Sequence, residues 1–333
     1  MENSPLIVAE IGMAHDGSLG LAHSYIDALA ATGVDAIKFQ MHLADAESSP
    51  HESFRVPFSY ADASRKDYWQ RTAFTLEEWK QLNDHCQQNG LEFMATPFSI
   101  EAVNWLEKLG VRRYKVGSGD ALNLLLLNRI AHTGKPVILS SGLYTADELT
   151  PGFQYLKSKS TDITLMVCHT AYPNPAETWK LSHIKDYRSL FHVKIGYSDH
   201  SGTPAASMAA AALGADCIEF HAVFDKRMFG PDSYSSLTME EAAFAVRSIR
   251  QISQSLRHQG FPLENSNELR RMFGRSLAIN KSLNKGDKIK MEDLETKKPN
   301  GMGIDPQYFE EVIGRELKED KMKWDFLTWN DLA

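Results

Sequence analysis

A chain of 333 residues and 37.4 kDa is too long for one small domain and suits one large α/β domain with a small appendage. Hydrophobic residues make up 43% and charged residues 24%, with 21 Gly and 13 Pro, a composition that buries a sizeable core and excludes a disordered or collagen-like chain. The net charge of -7 supplies no long-range attraction for nucleic acid or an anionic membrane, so an anionic ligand has to be held by a local cluster of Lys, Arg or metal.

Short apolar runs rich in β-branched residues recur between stretches of helical periodicity. They are LIVAEIG at 6–12, AIKFQ at 36–40, LEFMATPF at 91–98, RRYKVGSG at 112–119, PVILSSG at 136–142, ITLMVCHT at 163–170, HVKIGYSDH at 192–200 and CIEFHAVF at 217–224. Helices are predicted between them, as at 19–33, at 75–90 and at 99–110, where Ser99 caps and Gly110 stops the helix. Runs apolar on both faces are buried parallel strands, and eight β-then-α units make a (β/α)8 TIM barrel. An open doubly wound sheet would want a G-x-G-x-x-G loop after the first strand, where this chain has GMAHDG. The connection 41–75, with Phe54, Phe58, Tyr60, Tyr68 and Trp69, lies on the face where barrel active sites sit and is expected to be a lid or a packed insertion.

A helix near 239–257 closes the barrel domain, taken as 1–262, and a polar linker follows at 263–274. From 275 to 333, strand-like pieces separated by turn signals such as NKGD and PNGMG predict a small, mostly β domain. No apolar run approaches the roughly 18–20 residues of a membrane span, so a cytoplasmic protein is expected. Cys86, Cys168 and Cys217 form an odd set without C-x-x-C and read as reduced, buried thiols.

Polar side chains at the C-terminal ends of barrel strands share one cavity. Here those positions carry Glu10, Lys38, Gln40, Thr96, Lys115, Ser118, Asp120, Ser140, Thr170, Tyr172, Ser198, Asp199, His200, Glu219 and His221. Each alone has a plain structural reading, a paired lysine or a satisfied core histidine. Gathered at one end of apolar runs, they need partners or a ligand. His200 and His221, on adjacent strands, could meet one divalent metal. Lys38 and Lys115 with Thr96, Ser118 and Ser140 would form a cationic, hydroxyl-rich pocket for phosphate or carboxylate.

The motifs AEIGMAHDG, DAIKFQ, ATPFS, KVGSGD, VILSSGL, TAYPNP, GYSDH, IEFHAVFD and GPDSYSSL stand in the order and spacing of the sialic acid synthase family, which the chain resembles from Ile7 to about Leu237. Its tail from Arg275 resembles the antifreeze-like (SAF) domain that follows the barrel in that family. The resemblance implies condensation of phosphoenolpyruvate with the open-chain aldehyde of an N-acylhexosamine, with release of phosphate. It implies a divalent metal, Mn2+ before Mg2+ or Co2+, on His200 and His221. It places phosphoenolpyruvate on Lys38, Thr96, Lys115, Ser118, Ser140 and Ser198, and the sugar near Glu10, Tyr172 and Asp232, with Gln40 and Thr170 also on substrate. Glu10, Asp120 and Lys115 are the expected catalytic residues. It also implies a homodimer with a swapped C-terminal domain, which brings Lys298, or its neighbour Lys297, to the partner's cavity. Two departures stand out: Thr170 where the family has an amide or serine, and Lys298 in KKP where it has arginine. The rivals are a synthase using arabinose 5-phosphate or erythrose 4-phosphate, for which no second Arg-rich cluster is visible at the strand ends, and a sugar-binding barrel without activity.

Overall fold

A computed structural model describes residues 4–56, 58–159, 161–257 and 266–333. The chain divides into two compact units, Met1–His258 and Gln259–Ala333. In the first, chain order runs β1 (Leu6–Gly12), α1 (Leu19–Ala30), β2 (Ala36–Met41), α2 (Ala44–Glu47), α3 (Arg65–Thr72), α4 (Leu76–Gln88), β3 (Glu92–Pro97), α5 (Ile100–Leu109) and β4 (Tyr114–Val116). It continues with α6 (Leu124–Ala131), β5 (Val137–Ser140), α7 (Ala146–Ser158), β6 (Ile163–Val167), α8 (His183–Phe191), β7 (Lys194–Asp199), α9 (Pro204–Ala212), β8 (Cys217–His221) and α10 (Met239–Arg257).

All eight strands are parallel, in the order β3-β2-β1-β8-β7-β6-β5-β4, and the neighbouring β3 and β4 complete the barrel. Side chains alternate across each strand. Outward residues such as Ile7, Ile37, Phe93 and Ile218 pack under the helices in the main core. Inward ones begin with an apolar layer of Val8, Ala36, Met94, Ile138, Met166 and Cys217. On β7 the inward position is Gly196, where a Cβ would lie 2.2 Å from Met166 Sδ. One alternation further along the strands the interior becomes charged: Glu10 pairs in register with Lys38 on one side and His221 on the other, and Ser198 with Glu219.

The connection at 41–75 forms α2 and α3, and its Phe54 and Phe58 pack on Met13, Ala44, Tyr68 and Trp69 while Tyr60 stays exposed. The strand predicted at 112–119 is cut to Tyr114–Val116, because Gly117 leads into a single 3-10 turn at Ser118–Asp120. Cys86, Cys168 and Cys217 are free and buried.

The second unit opens with α11 (Ser266–Phe273), a helix across most of the stretch expected to be a linker, whose residues 263–265 lie outside the described residues. Only two short antiparallel strands follow, β9 (Ser276–Ile279) and β10 (Leu294–Lys297), around a small core that includes Leu277, Ile279, Ile289, Val312 and Leu327. Among the described residues no helix is long and apolar enough to cross a membrane.

Candidate active site

The charged layer of the barrel is built from four side chains on four strands. Lys38 on β2 contacts Glu10 on β1 and lies 3.7 Å from Glu219 on β8, while Lys115 on β4 donates to Glu219 at 3.0 Å. All four are buried. Ser198 donates to Glu219 Oε1 at 3.1 Å, and Lys38 donates to Thr96 at 3.3 Å. Two lysines against two carboxylates leave the layer neutral, which is how such charges survive away from water. Burial, then the charge of Lys115, pushes the Lys38 ammonium down to about 7, with Glu219 opposing the fall. Burial would raise the Glu219 carboxyl, but the two lysines outweigh it and hold it below the ordinary carboxylate range.

His200 and His221 stand one step nearer the barrel mouth, with ring centroids 5.3 Å apart. His200 Nδ1 donates to the His169 carbonyl at 3.0 Å, which leaves the Nε2 lone pair facing the Tyr172 hydroxyl at 3.2 Å and Ser198 Oγ at 3.4 Å. Burial, seconded by neighbouring positive charge, takes both imidazoles to about 3, so both are neutral at neutral pH. Glu10, in register with His221, keeps Oε1 buried without a hydrogen-bond partner. Among the described residues no three His, Cys, Asp or Glu side chains converge into a cage. Two neutral imidazoles and an unpartnered carboxylate oxygen nevertheless fit the donor chemistry of an open divalent-cation site, with positions left for water and substrate.

Above this floor a cleft of about 500 Å3 is lined by Gln40, His42, Arg55, Arg65, Ser118, Thr170, Tyr172 and Asp232, among others. Arg55 donates to Asp232 at 2.6 Å and to the Pro231 carbonyl at 3.3 Å, and its guanidinium lies 4.0 Å over the Tyr172 ring. Arg65 is held by Glu52 at 3.2 Å. Ser118 accepts from the Gly142 amide at 2.9 Å, and this approach requires glycine: a Cβ there would lie 2.6 Å from Thr170 Oγ1 and 2.8 Å from Ser118 Oγ.

The sequence-predicted residues thus fall into two tiers. Glu10, Lys38, Thr96, Lys115, Ser198, His200 and His221 form the buried floor, and Gln40, Ser118, Thr170, Tyr172 and Asp232 line the cleft. Ser140 is buried at the end of β5. Asp120 is not among the cleft residues; it accepts from Asn123 at 3.0 Å, and burial raises its carboxyl. Asp199 is turned away, accepting from Ser207 at 2.7 Å and the Ser201 amide at 2.8 Å. His15 is a core residue stacked on Phe74. Lys298, in the second unit, is exposed with its ammonium 5.4 Å over the Phe273 ring. Glu219, named among the strand-end residues without a role of its own, joins the two lysines, and Arg55 and His42, on connections without periodic pattern, are absent from the predicted set. The inward position of Glu219 two residues before His221 was the available signal for the first.

Comparison with known proteins follows the same two units. The NeuB family matches residues 25–260, and the SAF domain matches residues 274–333. N,N'-diacetyllegionaminic acid synthase of Campylobacter jejuni is 32% identical over 329 residues, covering 95% of this chain and 98% of that protein. Pseudaminic acid synthase of the same species is 31% identical over 329 residues, covering 98% and 96%. Among solved structures, the N-acetylneuraminic acid (sialic acid) synthetase of Leptospira borgpetersenii, in complex with citrate, superposes with a TM-score of 0.70 at 30% identity, covering 80% of this chain and 90% of that one. A chain whose barrel carries paired lysines beneath two histidines, and whose later residues match the SAF domain, therefore belongs to the NeuB family, as a phosphoenolpyruvate-dependent nonulosonate synthase-like enzyme.

Proposed function

We propose that the chain condenses phosphoenolpyruvate with the open-chain aldehyde of an N-acylhexosamine, forming a nonulosonate and releasing phosphate. The observation that carries this reading is the convergence of Lys38 and Lys115 on Glu219 beneath the His200–His221 pair. An anionic substrate can take the place of the carboxylate between the lysines, in a site dry enough for each charge to count. Thr96, Ser118, Ser140 and Ser198 complete the phosphoenolpyruvate site, and Tyr172, Asp232, Gln40 and Thr170 receive the sugar.

Enzymes of the NeuB family generally use a divalent metal. Here His200 and His221 would hold it, as Mn2+ before Mg2+ or Co2+, and when bound it supplies Lewis-acid polarisation of the aldehyde oxygen. The lysines orient phosphoenolpyruvate so that its C3 forms the new bond to the aldehyde carbon. Water then adds to C2, and phosphate leaves by cleavage of the C2–O bond. Glu10, unpartnered at Oε1 and beside His221, is placed to take the proton from that water.

The names of the relatives, among them synthases of N,N'-diacetyllegionaminic, pseudaminic and N-acetylneuraminic acid, support an N-acylated hexosamine as the sugar. The working unit is a homodimer with a swapped C-terminal domain, in which Lys298 approaches the partner's cleft; a second unit with so small a core, and an exposed Lys298, support this.

The test is phosphate release from phosphoenolpyruvate with Mn2+ and a panel of N-acylhexosamines. Release should require both sugar and metal and stop with EDTA. Release that ignores the sugar, or none with any sugar, overturns the proposal.

A further inference from the structure

His42 lies two residues beyond Gln40 in sequence and lines the same cleft. Its buried ring is clamped between Trp69, with centroids 3.6 Å apart and planes at 10°, and Phe98, at 4.2 Å and 9°. The clamp fixes the plane of the imidazole. Rotation within that plane is fixed by its two nitrogens: Nδ1 meets Glu47 Oε1, and Nε2 lies 3.2 Å from Gln40 Oε1. Glu47 is itself anchored, because its second oxygen accepts from the Leu43 amide at 3.2 Å. A ring kept only for packing would not need a polar partner at both nitrogens.

The far end of this chain of contacts is the reaction site. Gln40 lines the cleft, and its Nε2 and the unpartnered Glu10 Oε1 both flank Gly12, where a Cβ would lie 3.4 Å from the first and 3.2 Å from the second. A glutamine amide can present either a carbonyl or an NH2 group, so an untethered Gln40 would offer substrate a mixture of acceptor and donor. With one end of the amide held at His42 Nε2, the other end alone faces the cavity beside Glu10.

We propose that His42 is a positioning residue: fixed by Glu47 and the Trp69–Phe98 clamp, it holds the Gln40 amide in the orientation that the sugar meets. This deepens the nonulosonate synthase reading and rests on it, since it assumes that Gln40 touches the sugar. Glu47 is the positioning carboxylate behind His42. The sugar group recognised through Gln40 then meets one fixed end of the amide rather than a mixture of donor and acceptor.

The test is a double-mutant cycle on His42→Phe and Gln40→Ala, with Glu47→Gln as a milder variant that keeps the stacked ring. In the wild-type background His42→Phe should cost roughly ten-fold in kcat/KM for the sugar, carried by KM, with the KM for phosphoenolpyruvate within about two-fold. In the Gln40→Ala background the same change should cost less than about two-fold further, and Glu47→Gln should show a weaker form of the same sugar-KM effect. Equal losses in both backgrounds, or equal effects on both substrates, overturn the proposal. Absence of turnover by wild-type enzyme with every sugar would instead remove the nonulosonate reading. The positioning claim is then decided by crystal structures of the wild type and Glu47→Gln or His42→Phe, in which the Gln40 amide should turn or split. An amide unmoved in the variants refutes it.

Discussion

Replacing Glu219 by Gln removes one charge at constant shape from the centre of the floor. At an effective dielectric constant of about 20, its contacts with Lys115 at 3.0 Å and Lys38 at 3.7 Å are worth roughly 5.5 and 4.5 kcal/mol before desolvation is set against them. Lys38 keeps Glu10 as a partner, so the charge left uncompensated is chiefly that of the buried Lys115. Breaking a buried pair by removing one member costs about 3–5 kcal/mol, and that is the expected loss in unfolding free energy by urea titration at unchanged m-value. Phosphoenolpyruvate should return much of it: an anion bound at 100 times its Kd stabilises by about 2.7 kcal/mol, and the variant's lysines no longer have Glu219 to displace. The variant should therefore bind phosphoenolpyruvate more tightly than the wild type while turning over more slowly. A loss below about 1 kcal/mol, or equal stabilisation of both proteins by phosphoenolpyruvate, would refute the view that Glu219 holds the place of the substrate anion.

Lys115→Met should raise the KM for phosphoenolpyruvate far more than that for the sugar; equal effects would show that the lysine lies elsewhere on the reaction path. His200→Ala or His221→Ala should abolish turnover with an unchanged circular dichroism spectrum, and exhaustive chelation should do the same to the wild type reversibly, so full activity in chelated buffer would exclude the two-histidine site. Gly142→Ala should cost about 1–3 kcal/mol and lower activity, because its methyl group would collide with Thr170 and Ser118, and a crystal structure with both side chains in place would contradict that. Because burial holds Lys38 at about 7 in the folded state against roughly 10.4 unfolded, the unfolded chain binds the extra proton between these values. Lys38 therefore adds stability as pH rises through that window, at up to about 1.4 kcal/mol per pH unit, and the slope should vanish in Lys38→Met.

How much of this could be read in the sequence follows from distance along the chain. The barrel was legible because buried parallel strands are short, apolar on both faces and regularly spaced, and charged residues interrupt them only where the interior turns polar, as at Glu10, Lys38 and Lys115. Glu219 stood in view at an inward position, but its significance lies in Lys115, 104 residues away, and no local pattern brings the two together. Arg55 and His42 sit on connections whose conformation is set by packing against Tyr172, Trp69 and Phe98 rather than by any periodicity. The truncation of β4 reflects Gly117 and the 3-10 turn behind it, a local preference that a strand-like run of side chains conceals. In the second unit, the helical spacing of Leu269, Met272 and Phe273, all of them exposed, is hidden in 266–273 among polar residues that read as linker.

The central claim is that this floor and rim join phosphoenolpyruvate to an N-acylated sugar. It is tested most directly by mass spectrometry of the reaction mixture with Mn2+, phosphoenolpyruvate and each candidate hexosamine. The account predicts a product whose mass is that of the sugar plus pyruvic acid, formed in step with one phosphate per molecule and absent in Lys115→Met. Phosphate accompanied by free pyruvate alone, with no sugar adduct for any hexosamine, would contradict it.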